Sequence, residues 1–206
     1  MDHAARRLAM IHRMQIQVRP MRVDEWEQLR ALRLAALHDA PYAFGEQYGQ
    51  ALEVPGAIWQ ERAERGTRPE SPVLIAEADD EWLGMLRLGL LHDPPEDEPL
   101  PEQIDSFPVA EVMSVFVRPE YRGRATGGDG GVASLLLDHA LDWATERYGA
   151  KWAVLDVTVG NGRALAFYMR SGFEDTGLRL SGPQPGDRAI RMVRRINPNE
   201  KTTGDT

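Results

Sequence analysis

The segment that most constrains this chain runs from Glu111 to Leu141. It reads EVMSVFVRPEYRGR, then a glycine-rich break, then GVASLLLDHAL. An apolar strand, a basic turn and a helix opening on small residues follow one another. A helix N-terminus carries unpaired backbone N–H groups and partial positive charge. Glycine lets the backbone approach an anion closely. Arg122 and Arg124 place charge-assisted donors beside that turn. This order of parts implies a cradle for a pyrophosphate.

Two registers of the cradle compete. Arg122-x-x-Ala125-x-Gly127 would start the helix through Gly127, Gly128, Gly130 and Gly131. Each internal glycine costs about 1 kcal/mol against alanine, so that start is poor. The better register loops out residues 125–130 and starts the helix at Gly131-Val132-Ala133, with Asp129 as a cap or in solvent. Gly128-x-Gly130-x-x-Ala133 also satisfies a relaxed dinucleotide fingerprint. A dinucleotide fold places that turn in its first βαβ unit with further parallel strands behind it, and here one more strand-helix unit follows. Gly-Lys-Ser/Thr does not occur, which excludes a P-loop.

The rest of the chain reads as one core. Gln15 to Pro20 alternates as an opening strand. Asp24 is the expected cap of a helix carrying Trp26, Leu29, Leu32, Arg33, Ala36 and Leu37 at helical spacing. HDAPYAFGEQYGQ reads as a loop, and Pro55 to Arg65 as a short helix with Ile58 and Trp59 inward. Val73–Ala78 and Trp82–Leu91 are strands joined at Asp79-Asp80-Glu81, and Val109–Val117 is the next. Val132, Leu135, Leu136, Ala140 and Trp143 mark the helix after the cradle. Ala153–Val159 is a buried strand. Asn161–Ser171 is a helix closed by Gly172. Phe173–Leu180 and Arg188–Ile196 form a closing hairpin. Residues 15–196 therefore make one domain of mixed α/β class, between an extension over 1–14 and a polar tail over 197–206. Met10 and Met14 offer later translation starts.

Composition removes several function classes. Of 206 residues 42% are apolar and 27% charged, an ordinary globular balance. A net charge of -8 disfavours nucleic acid. The absence of cysteine excludes disulfides, thiolate metal sites and cysteine nucleophiles, and it fits a reducing, cytoplasmic setting. His3, His12, His38, His92 and His139 lack metal-ligand spacing, so no metal is expected. No apolar run approaches a membrane span. Arg6, Arg7 and Arg13 interrupt the N-terminus, which argues against a secretory leader.

Several residues carry both a functional and a structural reading. Tyr168, beside Phe167, fits a core tyrosine on spacing alone. Glu111 fits a surface position of an alternating strand. Asn161 fits an N-cap. Tyr42, Phe44, Tyr48 and Trp59 either wall an acceptor site or fill core. The acidic, proline-rich stretch Asp93–Asp105 reads as a solvated loop whose field would attract a cationic amine.

These motifs resemble the GNAT superfamily of acyl-CoA-dependent N-acetyltransferases. VRPEYRGR with GVASLLLDHAL is similar to the family's CoA-pyrophosphate motif, Arg-x-x-Gly-x-Gly/Ala. NGRALAFYMRSGFEDTG is similar to its second motif, Asn-x-x-Ala-x-x-Phe-Tyr with a following Gly-Phe. RALRLAALHDAPYAFG is similar to the substrate-side helix and loop of some members. Element order matches from Gln15 to Ile196, and the specific part is Val109 to Asp175. The break at 125–130 departs from the family spacing.

The resemblance implies a single domain with a central, twisted mixed sheet flanked by helices, taking acetyl-CoA as cosubstrate and needing no metal. Strands near Val115 and Ala153 would splay, and backbone groups of Val115, Phe116 and Val117 would bind pantetheine and stabilise the oxyanion. Arg122, Gly123, Arg124, Gly131, Val132 and Ala133 would hold the pyrophosphate, with Asn161 also contacting the cofactor. Tyr168 would be the general acid and Glu111 the base, with Asp156 the second candidate. Tyr42 and Phe44 would touch the acceptor, a primary amine of a small molecule or peptide. That amine would attack directly, without a covalent enzyme intermediate. Dimers are a common assembly in the family. Competing readings are a catalytically silent acyl-CoA sensor, a protein-interaction domain and a dinucleotide-binding domain.

Overall fold

A computed structural model describes residues 15–96, 98–123 and 131–196. The elements in order are β1 (Gln17–Pro20), α1 (Trp26–Asp39), a 3₁₀ turn (Pro41–Ala43), α2 (Tyr48–Leu52) and α3 (Gly56–Gly66). Next come β2 (Val73–Ala78), β3 (Glu81–Leu91), β4 (Val109–Val117), a second 3₁₀ turn (Pro119–Tyr121) and α4 (Gly131–Tyr148). β5 (Trp152–Thr158), α5 (Gly162–Arg170), β6 (Glu174–Ser181) and β7 (Arg188–Arg195) complete the chain. The seven strands form one sheet in the order β1-β2-β3-β4-β5-β7-β6. β4 and β5 pair in parallel, and the other neighbours are antiparallel.

Both faces of the sheet are covered, and the period-two alternation of β2 shows how. Leu74, Ala76 and Ala78 enter the core shared with α4, whereas Val73 and Ile75 enter the one shared with α1 and α3. On α4, Val132, Leu136, Ala140 and Ala144 recur every four residues as a buried stripe. On the opposite face Leu32, Leu37 and Trp59 are almost fully buried.

Bulges on β3 and β4 interrupt the alternation in the centre of the sheet. On β3, Leu83 has no register partner between the Ala76–Gly84 and Glu77–Trp82 pairs. On β4, Ser114 and Val115 fall between Met113, which faces Arg87, and Phe116, which faces Met85. An extra residue sends everything beyond it to the other face. Ala110, Val112 and Val117 therefore share the α4 side, while Phe116 joins the α1 and α3 side. Ser114 adopts φ 51, a left-handed value costly for a residue other than glycine.

Some sequence expectations need correction. Glu25, not Asp24, precedes the first helix, and its side chain makes no capping bond. The Glu25 carboxylate instead accepts from Arg19 at 2.6 and 2.9 Å and from the Arg22 N–H at 2.6 Å. The segment read as a loop after His38 contains the 3₁₀ turn and α2. Ile58 and Leu135 face solvent at 37% and 42% exposure, because the buried stripes run through their neighbours Trp59 and Leu136. The opening strand starts at Gln17, and α4 begins at Gly131. Arg124, the 125–130 break, the 1–14 extension and the 197–206 tail lie outside the described residues.

Candidate active site

β4 and β5 stay together for only three register pairs: Val109–Trp152, Ala110–Ala153 and Glu111–Val154. Beyond Glu111 the two strands diverge. β4 stays paired to β3 and β5 to β7, so each turns one unpartnered edge toward the gap. Two clefts meet at that gap and share Phe44, Val115, Asn161, Ala164 and Tyr168 as a common wall.

The first cleft, about 400 Å³, is lined by Glu111, Ser114, Asp156, Arg191 and Arg33. Arg191 is 2% exposed and grips both Asp156 oxygens, at 2.9 and 2.8 Å. It also reaches Glu98 and the Pro99 carbonyl, each at 2.9 Å. Asp156 and Arg191 are register partners on adjacent strands, so the ion pair follows from the β5–β7 alignment. Glu111 lacks such a partner among the described residues. Burial, then the nearby Glu98 and Asp156 carboxylates, push its carboxyl above the usual range, against the opposing pull of Arg191 and Arg87. A carboxylate moved toward neutrality and left free of a guanidinium suits proton acceptance. Asp156 has both oxygens engaged.

Tyr168 stands on α5 in the shared wall, 8% exposed. Its ring packs edge-on against Phe173 at 5.8 Å and tilts against Phe167 at 5.1 Å. Burial raises its phenol well above the ordinary value, so it remains a proton donor at neutral pH. Asn161 caps α5, its Oδ1 accepting from the Ala164 N–H at 3.2 Å.

The second cleft, about 270 Å³, is lined by Val117, Arg122, Gly123, Val132, Ala133 and Tyr42. Val115 and Phe116 reach it as well. Val132 and Ala133 bring the N-terminus of α4 to this cleft, while Gly131 is buried at the helix start. Gly123 has φ 96, and a Cβ there would meet nothing within 4 Å, so backbone is bare at that point. Arg122 is braced from within: its Nε donates to the Val117 carbonyl at 2.7 Å, and Nη2 pairs with Asp39. Arg163 and Arg170 also line this cleft. They were missed from the sequence, although a spacing of seven places them on one face of α5.

Tyr42 falls on this second cleft, 50% exposed, rather than beside Glu111. Phe44 stays in the shared wall, with the Arg33 guanidinium 4.6 Å from its ring centre. The site therefore unites Val115, Tyr168, Asn161 and Phe44 at the gap, with Glu111 on one side and Arg122 and Gly123 on the other. The second cleft fits an elongated anionic cofactor: strand edge, bare glycine backbone, helix N-terminus and arginines follow one another along it. Among the described residues no three His, Asp or Glu converge as metal ligands, and no helix is long and apolar enough to cross a membrane.

Solved structures share this architecture. An acetyltransferase of the GNAT family from Streptococcus pneumoniae is 16% identical, with TM-score 0.62 over 89% of this chain and 100% of that one. An N-acetyltransferase from Thermoplasma acidophilum in complex with coenzyme A is 18% identical, with TM-score 0.63 over 89% and 100%. A ribosomal-protein-alanine N-acetyltransferase from Brucella melitensis is 22% identical, with TM-score 0.63 over 87% and 99%. At these identities the likeness establishes the fold. In sequence, an uncharacterized N-acetyltransferase of Methanocaldococcus jannaschii is 38% identical over 93 residues, 45% of this chain. The match spans only 35% of that curated relative's length. The profile of the acetyltransferase (GNAT) family matches residues 26–173, from the start of α1 through the second motif. With the sheet order and the divergence of β4 from β5, that match over most of the domain shows that the chain belongs to the acetyltransferase (GNAT) family.

Proposed function

We propose that this protein is an N-acetyltransferase that moves an acetyl group from acetyl-CoA to a primary amine of a small molecule or peptide. The observation that carries the reading is the gap beyond the Glu111–Val154 pair, walled by the Ser114 bulge on one side and Tyr168 on the other. The M. jannaschii relative bears an N-acetyltransferase name, and the Thermoplasma structure was solved with coenzyme A. The acceptor class and the cytoplasmic setting are part of the proposal, as is any dimer.

Acetyl-CoA supplies the activated acyl group, so the protein's task is to position, deprotonate and reprotonate. The edge of β4 at Val115–Val117 aligns the cofactor arm as a neighbouring strand would. A backbone N–H at the bulge stabilises the developing oxyanion. Glu111 accepts the amine proton, directly or through water. Tyr168 donates to the departing sulfur: its high phenol pKa opposes full transfer, and burial beside the leaving group compensates by geometry. Arg122, Gly123 and the first turn of α4 hold the diphosphate, joined by Arg124 if the motif is read in full.

The experiment is calorimetric titration of acetyl-CoA into the full chain, with NAD as control ligand, followed by an amine panel read by thiol release. Saturable acetyl-CoA binding without NAD binding, and thiol release with at least one amine, support the proposal. Binding without release on any amine would favour the acyl-CoA sensor. Failure to bind acetyl-CoA would sink both readings.

A further inference from the structure

A third pocket, of about 230 Å³, lies on the α1 and α3 face of the sheet. Its charged lining is Arg33 from α1, Arg62 and Arg65 from α3, Arg87 from β3, and Glu46. Four guanidinium groups thus meet one carboxylate, in a chain whose net charge is -8. Glu46 spans two of the four, accepting from Arg33 Nε at 3.2 Å and lying 2.9 Å from Arg62 Nη1. The other two have no ion pair among the described residues; Arg87 spends its donors on the Ser71 hydroxyl at 3.1 and 3.2 Å. Burial, countered by Glu46, and the like charges of Arg62 and Arg87 pull the Arg33 guanidinium below its usual range. The pocket therefore holds more positive charge than its own anion balances.

Two further features point to a ligand. Trp59, 1% exposed, lines this pocket and its indole N–H is buried without a hydrogen-bond acceptor. Such a donor is uncommon in a folded interior. Arg33 and Ser114 line both this pocket and the first cleft, so the two spaces share a wall at the residue next to Val115.

We propose that this pocket is an oxyanion subsite that binds a carboxylate carried by the acceptor. Glu46 shows the mode: a carboxylate held between guanidinium groups, the geometry arginine favours. The preferred acceptor is accordingly an amine with a carboxylate a short distance away, of amino-acid or dipeptide size. The inference rests on the acetyl-transfer reading of the adjoining cleft.

The test is calorimetric titration of glycyl-glycine, of its C-terminal amide and of inorganic phosphate, each with and without saturating CoA. CoA fills the diphosphate cradle, so it removes that second anion site from the measurement. The acid is expected to bind about tenfold or more tighter than the amide, the range of one strong charge-assisted contact. Arg65→Gln should erase most of that preference, and Glu46→Gln should enlarge it by removing the internal competitor. A purely structural role would weaken binding in both variants. Equal affinity for acid and amide, binding of neither, or the same direction of change in both variants would overturn the subsite. Phosphate binding with the expected variant pattern, but no preference for the acid, would overturn the carboxylate assignment. The acid–amide comparison without CoA is independent of cofactor binding, so failure of the acetyl-transfer reading is seen separately, in the CoA titration.

Discussion

Replacing Asp39 by asparagine should tighten CoA binding, although it removes an ion pair. Arg122 is held twice, by the Val117 carbonyl and by Asp39 at the end of α1. Asparagine keeps an oxygen where Arg122 Nη2 donates, so the brace survives while the charge goes. Asp39 and a bound diphosphate would then flank one guanidinium. Anions on opposite sides of it lie about 7 Å apart and, at water-like screening, repel by roughly 0.6 kcal/mol per pair of unit charges. Water-like screening sets the lower limit of the effect, because the two side chains are only 23% and 27% exposed. A diphosphate with about two charges therefore gains about 1.2 kcal/mol, roughly sevenfold in affinity at low salt. At about 0.15 M salt the Debye length is about 8 Å, and the gain shrinks to roughly twofold. The assay is CoA titration of wild type and variant at several salt concentrations, with dephosphorylated pantetheine as control. Pantetheine affinity should not change. Weaker CoA binding, or a gain that ignores salt, would refute the placement of the diphosphate beside Arg122.

Three other outcomes follow from the same site. Tyr168→Phe should lower kcat by about 10²-fold or more, the range of general acid catalysis, and leave acetyl-CoA affinity nearly intact; full turnover on the true acceptor would remove Tyr168 as the acid. Glu111 keeps its proton to higher pH in the folded chain than in the unfolded one, so the stability tied to it is complete below the ordinary pKa of about 4.3 and is lost as pH rises through the raised value. Denaturant titrations should show Glu111→Gln gaining on wild type as pH rises, and kcat/KM should lose its acidic limb; a variant that instead loses ground with rising pH would contradict the burial of Glu111. At Gly84 a Cβ would lie 2.6 Å from the Phe116 carbonyl oxygen, so Gly84→Ala should destabilise by about 1–3 kcal/mol and loosen CoA binding through β4; unchanged thermal stability would show that β3 and β4 can part there at no cost.

Much of this was legible in the chain because local rules decided it. The cap at Asn161 followed from its side chain and position. Alternation placed β2, β3 and β4 to within a residue. What stayed hidden depends on partners distant in sequence. Asp24 looks like a cap, but Arg19, held on its other side by Glu77, draws Glu25 into a buried cluster that sets the helix entry. The bulge falls at a serine with left-handed φ, where no glycine announces it. Asp156 and Arg191 are 35 residues apart and become one ion pair only once the β5–β7 register is known. The arginine pocket draws on two helices, a loop and three strands, and nothing in the spacing of Arg33, Arg62, Arg65 and Arg87 brings them together.

The early parting of β4 and β5 has a consequence for solubility. β4 is nine residues long and β5 seven, yet they share three pairs. The remainder is strand border turned inward, able to receive an extended guest yet shielded from other protein molecules by Phe44 and Tyr168. An exposed border of that kind invites intermolecular pairing and aggregation. The outermost strands lack it in comparable form: β1 is four residues long and ends on Pro20, and β6 breaks register between Asp175 and Arg179, where an ion pair stands. Among the described residues, the border between β4 and β5 is thus a length of unpaired ladder that a slender ligand can reach and a second folded chain cannot.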